Sequence, residues 1–170
     1  GPLRVLLRPL ADVGATKRGF ALAPRLTGAV VVLARPLEER HAAVLALLAD
    51  LKARHHALAV ATGKSRRGLD EALQAVELRG LFDGSRTADE TAGKPHPRML
   101  HELMREFGVE PERTLMIGDT THDMLMASNA GCAGLGVTYG AHSHETLLTA
   151  APLHCVDSIS ELATWLHANA

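Results

Sequence analysis

Short apolar runs that could only be buried strands alternate along this chain with segments of helical period, and that alternation constrains the fold more than any other feature. Gly28 to Ala34 reads Gly-Ala-Val-Val-Val-Leu-Ala, and Ala57 to Ala61 reads Ala-Leu-Ala-Val-Ala. Thr114 to Ile117, Cys132 to Val137 and Pro152 to Val156 are similar. Continuous apolar runs of this length, rich in β-branched residues, suit strands covered on both faces. Between them lie stretches with apolar residues at helical spacing: 37–54, 66–75, 98–107, 121–129 and 158–168. Ser65 is placed to cap the second of these, and Gly108 to end the third. A shorter strand is expected near Ser85–Ala88, after the turn Leu81–Gly84. The pattern predicts an α/β fold: a doubly wound parallel sheet with helices on both faces.

Residues 1–27 show no period. Pro2, Pro9 and Pro24 interrupt the apolar runs there, and this segment is expected to be irregular. Residues 1–35 carry six basic side chains against one acid, Asp12, a net +5 in a chain whose total is −1. A compositional boundary near residue 35 follows. The domain division expected is an atypical segment over 1–27 and an α/β core over 28–170. A near-neutral total gives no field that would draw the chain to nucleic acid or to a membrane surface. The apolar runs are too short to span a bilayer, and the start lacks the sustained apolar stretch of a secretory leader. Cys132 and Cys155 sit in apolar contexts and read as buried thiols of a reducing, cytoplasmic compartment rather than a disulfide.

Open parallel sheets bind ligands beyond the carboxyl ends of their strands. Three polar features fall there. Thr62-Gly63-Lys64-Ser65 follows the Ala57–Ala61 strand and opens a helix, which makes an anion site; the alternative is an ordinary strand-to-helix turn with a hydroxyl cap. Gly118-Asp119-Thr120-Thr121-His122-Asp123 follows the Thr114–Ile117 strand. Its two carboxylates, four residues apart, can reach one point and suit Mg²⁺; alternatively Asp119 caps the helix and Asp123 supports its first turn. Gly93-Lys94-Pro95-His96-Pro97 lies between them, a proline-stiffened loop whose lysine could neutralise a phosphate or simply be solvated.

Taken together and in this order, Val60–Ser65, Gly93–Pro97 and Met116–Asp123 resemble the second, third and fourth motifs of the haloacid dehalogenase superfamily. The phosphoglycolate-phosphatase-like branch is the nearest in look. Asn129-Ala130-Gly131 and Gly136-Val137-Thr138-Tyr139-Gly140 resemble its later sequence, and the likeness covers about residues 37–168. The resemblance implies Mg²⁺-dependent hydrolysis of a small phosphorylated metabolite. It implies that Thr62 and Gly63 bind the phosphoryl group and that Lys94 offsets charge on it. It further implies that Asp119 ligates the metal, with Asp123 ligating it or orienting its waters.

The family's first motif, a buried strand ending in Asp-x-Asp-x-Thr, supplies the nucleophile and a general acid/base. No such string occurs in this chain. Asp12-Val13-Gly14-Ala15-Thr16 keeps the first Asp and the Thr, but Arg8 and Pro9 stand where a central strand should be. The better candidate for the missing strand is Gly28–Ala34, expected between the Ala57–Ala61 and Thr114–Ile117 strands by a single-helix crossover. It ends in Ala34-Arg35-Pro36, without a carboxylate. The helical cap usual in the branch has no residues to form it. Catalysis is therefore expected to be absent or strongly impaired, and Mg²⁺ weakly held, by a pseudoenzyme or by a chain with an altered start. A non-catalytic module binding phosphate, metal or a protein is the alternative. A receiver-like or flavodoxin-like domain would share the sheet but leave Gly93–Pro97 unexplained.

Overall fold

A computed structural model describes residues 5–6, 30–31, 41–75, 78 and 80–170. Its elements, in chain order, are β1 (Val5–Leu6), β2 (Val30–Val31), α1 (His41–Ala53), β3 (Ala57–Thr62), α2 (Arg66–Ala75), β4 (Gly84–Thr87) and α3 (Arg98–Phe107). After a 3₁₀ turn at Pro111–Arg113 come β5 (Leu115–Gly118), α4 (Thr121–Asn129), β6 (Ala133–Val137), α5 (His144–Leu148), β7 (His154–Val156) and α6 (Ile159–Asn169). Strands and helices alternate from β2 onward, as the apolar runs predict.

The strands form two hydrogen-bonded ladders, β2-β3-β4 and β1-β5-β6-β7. Within the first, β2 and β4 both run parallel to β3, with Val30 opposite Ala57 and Thr62 opposite Thr87. Within the second, β5, β6 and β7 are mutually parallel, with Gly118 opposite Gly136. The two ladders lie side by side: β1 neighbours β3, and β2 neighbours β5. The larger of two apolar clusters among the described residues spans both, including Leu48, Leu58, Leu100, Met116, Leu135 and Leu162.

Two sequence expectations change here. Residues 30–31 pair with β3 as anticipated, but the ladder to β5 is made by Val5–Leu6, which runs antiparallel with Val5 opposite Ile117. A two-residue strand carries no periodicity, so nothing local marks Val5–Leu6 within a proline-interrupted segment. Which backbone satisfies the open edge of β5 is decided by long-range pairing. Helix α5 has no counterpart in the sequence pattern: five residues are too few to show a period, although Ser143 caps it by accepting a hydrogen bond from the Thr146 amide. Asp12–Thr16 and Ala34-Arg35-Pro36 lie outside the described residues.

Elsewhere the helix boundaries follow their local chemistry. The Ser65 hydroxyl accepts a 3.1 Å hydrogen bond from the Gly68 amide at the start of α2. Gly108 closes α3 at φ 62°, a left-handed conformation that costs glycine little, and its amide donates to the carbonyls of Met104 and Arg105. Among the described residues, no helix is long and apolar enough to cross a membrane.

Candidate active site

Strand β3 delivers Thr62 to its carboxyl end, where the side chain is fully buried. Its hydroxyl oxygen accepts a 3.1 Å hydrogen bond from the Lys64 amide, which tightens the turn through Gly63 into α2. Strand β4 ends beside it, because Thr62 and Thr87 are ladder partners. The chain leaving β4 then passes through Asp89 and Glu90 to the Gly93–Pro97 loop. The Ala88 amide donates to the Lys64 carbonyl at 3.1 Å, so the connections leaving β3 and β4 are joined immediately beyond the sheet.

Strand β5 delivers Asp119, one residue past Gly118, and α4 begins at Thr121. Asp119 and Asp123 are both buried. Thr120, not Asp119, is the N-cap. In a reciprocal capping box the Asp123 carboxylate returns to Thr120, with Oδ2 accepting from the backbone amide at 3.1 Å and from the hydroxyl at 2.7 Å. Asp123 Oδ1 meets Lys94 Nζ at 3.2 Å, with the two side chains 0% and 9% exposed. The lysine of the β4–α3 loop and the second carboxylate of the β5–α4 turn are thus one buried ion pair. That loop is held from its other side too, since Asn129 Nδ2 donates to the Pro95 carbonyl at 3.0 Å.

The loop after β6 covers Asp119. Asp119 Oδ2 accepts from the Ala141 amide at 2.9 Å, and its backbone carbonyl accepts from the His142 amide at 3.0 Å. His142 Nδ1 in turn accepts from the Thr121 amide at 3.1 Å, so its ring stands at the first turn of α4. Two glycines make room for the carboxylates. A Cβ on Gly118 would lie 2.5 Å from Asp123 Cβ, and one on Gly140 would overlap the Asp119 side chain. Neither position admits a side chain without moving an aspartate.

Of the residues singled out from sequence, Lys94 and Asp123 are in direct contact, Asp119 stands at the head of the same turn, and Thr62 and Gly63 end the neighbouring ladder. The residues that orient them were not singled out. Thr120-x-x-Asp123 has the capping-box spacing and could have been read locally. Gly140 ends the Gly136–Gly140 stretch that resembles the family's later sequence, whereas Ala141 and His142, about twenty residues beyond Asp119, carry no local signal.

Residues 37–137 match the haloacid dehalogenase-like hydrolase family. The chain belongs to that family. It is 43% identical over 122 residues to a protein of Dickeya dadantii named Probable phosphatase IndB, covering 71% of this chain and 53% of that one. It is 34% identical over 126 residues to a phosphoglycolate phosphatase of Pasteurella multocida, covering 72% and 55%. The chain spans about half the length of the curated relatives it matches.

Among solved structures, a predicted phosphoglycolate phosphatase from Haemophilus somnus 129pt superposes with a TM-score of 0.67 at 30% identity, covering 72% of this chain and 55% of that one. A haloacid dehalogenase-like hydrolase from Streptococcus pneumoniae superposes at 0.64 and 25% identity, covering 72% and 58%. The phosphoglycolate-phosphatase likeness and the α/β architecture expected from sequence both stand.

Members of this family imply a Mg²⁺ ion, and the donor set bears on whether these residues suit it. Asp119 and Asp123 offer hard carboxylate oxygens, the right kind of ligand. Among the described residues no group of three or more His, Cys, Asp and Glu side chains is gathered. Asp123 already receives Thr120 on one oxygen and Lys94 on the other. The two carboxylates are thus the right kind of donor for the ion but a sparse set, with both oxygens of Asp123 already engaged.

Proposed function

We propose that this chain is the phosphate- and metal-binding core of a Mg²⁺-dependent phosphomonoester hydrolase of the phosphoglycolate-phosphatase type, acting on a small phosphorylated metabolite. The observation that carries this reading is the buried Lys94–Asp123 ion pair. A lysine of the β4–α3 loop held by a carboxylate in the first turn of α4 is placed to share its charge with a phosphoryl oxygen bound beside them. Thr62 and the Gly63 amide would hold the transferring phosphoryl group at the opening of α2, where the backbone amides of a helix N-terminus favour an anion. Asp119 would hold Mg²⁺, which neutralises developing charge on phosphoryl oxygens. The Ala141 amide fixes which way that carboxylate faces.

The sequence contains no Asp-x-Asp-x-Thr, so this chain has no recognised covalent nucleophile. Losing such a group typically costs several powers of ten in turnover, while positioning and electrostatics leave a residual. The chain is accordingly inactive or strongly impaired on its own, and a phosphate-binding role without catalysis is the second reading. Hydrolysis of p-nitrophenyl phosphate with and without Mg²⁺, beside inorganic-phosphate titration, separates the two. The expected result is phosphate binding that is lost in Lys94→Met, with negligible turnover. Robust Mg²⁺-dependent turnover abolished by Asp12→Asn would make Asp12 the nucleophile and overturn the inactive reading.

A further inference from the structure

Between the segments leaving β3 and β4 lies a second polar cluster that the reading above leaves unused. The Arg66 guanidinium grips the Glu90 carboxylate with two parallel bonds, Nε to Oε1 and Nη2 to Oε2, each 2.7 Å. Its Nη1 donates to the Ser85 hydroxyl at 2.8 Å. The Arg66 backbone amide, at the first turn of α2, donates to both carboxylate oxygens of Asp89 at 3.0 and 3.2 Å. Asp89 Oδ1 is itself held by the Thr87 hydroxyl at 2.6 Å. With the Ala88–Lys64 backbone bond, these contacts tie the segment leaving β3 to the segment leaving β4.

The placement matters because Thr62 precedes Arg66 by four residues and Lys94 follows Glu90 by four. Exposed ion pairs are usually weak, but a bidentate arginine fork inside a network is the favourable exception. The fork also holds the Glu90 carboxyl far below its ordinary value, at about 2, so the carboxylate stays ionised.

We propose that Arg66 is a positioning residue for the phosphate site: its fork onto Glu90 clamps the β3–α2 turn carrying Thr62 to the β4–α3 loop carrying Lys94. This rests on the phosphate reading of the site. Arg66 acts through geometry and not through its charge, because Glu90 neutralises it. Lysine keeps the charge but cannot reproduce a planar fork.

Arg66→Lys and Glu90→Gln separate geometry from charge. Inorganic phosphate, with and without Mg²⁺, is titrated into wild type and both variants while the Gly63 and Lys64 amides are followed by NMR. Positioning requires both variants to bind phosphate about five- to tenfold more weakly, as loss of one of two parallel charge-assisted bonds would give. Affinity kept in Arg66→Lys and raised in Glu90→Gln is the signature of a direct charge effect, and it overturns the clamp.

Amide exchange in the ligand-free proteins supplies a readout independent of binding. The Ala88 amide should exchange about tenfold faster in both variants, because local opening is what the clamp opposes. An unchanged Ala88 amide, or variants that bind phosphate as wild type does, overturns the clamp alone. No phosphate binding by wild type overturns the reading of the site itself and the positioning role with it.

Discussion

Replacing Lys94 with methionine tests the centre of the site without relying on any activity. Methionine keeps the unbranched stem and roughly its volume, so the packing loss is small. What is lost is the ammonium 3.2 Å from Asp123 Oδ1, in a pair whose carboxylate is fully buried. Removing one partner of a buried pair leaves the other charge uncompensated and typically costs ~3–5 kcal/mol. Asp123 keeps the Thr120 amide and hydroxyl on Oδ2, which places the expected loss near the lower end, about 3 kcal/mol.

Urea unfolding at neutral pH should show the midpoint falling with an unchanged slope. The control is the double variant Lys94→Met/Asp123→Asn. An asparagine oxygen can still accept from Thr120 while the buried charge disappears, so the double variant should recover about 1–2 kcal/mol over Lys94→Met, a coupling expected of side chains in contact. A loss below about 1 kcal/mol, the value of a solvated pair, would refute the argument that this pair is buried and matched. So would a double variant no more stable than the single one.

Acid should destabilise the protein through His56. Burial, and then the neighbouring Arg54, push its imidazole from 6.5 down to about 4. Its contribution is complete above about pH 6.5 and is lost as pH falls to about 4. That amounts to roughly 3 kcal/mol at most, and His56→Leu should flatten the stability–pH curve in that window. Gly118→Ala would force a Cβ to 2.5 Å from that of Asp123. It should cost about 1–3 kcal/mol and broaden the Thr120 amide signal in NMR spectra, whereas an unperturbed signal would show the turn can yield. The Cys132 thiol is pushed up by burial to about 12, so it should resist iodoacetamide at pH 8 in the native protein and react only on unfolding. Labelling of native protein within minutes would mean that β6 opens at its start.

Much of the fold could be read from the chain because the information is local. An apolar strand between turn residues, Ser65 ahead of α2 and Gly108 behind α3 act over a few residues, and the structure uses each as expected. The site motifs are equally compact. Thr62–Gly63, Lys94 and Asp119–Asp123 each occupy one turn or loop between a strand and a helix, so the family resemblance they carry could be read before any geometry. Helix α5 and the two-residue β1 escaped for the opposite reason: they are too short for a period, and they exist because packing and an open ladder edge favour them.

What the sequence determined by itself is the alternation of strand and helix, the strand ends at which polar residues emerge, and the identity of those residues. Tertiary structure decided their partners. Lys94 meets Asp123, Ala141 orients Asp119, and Arg66 reaches across to Glu90. It also decided that Val5–Leu6 pairs with β5, where the sequence pattern points to residues 28–34. The division has a physical cause. Strand and helix preferences, caps and turns are settled by interactions within about one helical turn. A buried charge takes whichever opposite charge the packed backbone brings within reach, and a ladder edge takes whichever strand arrives, and neither is encoded in any local run of residues.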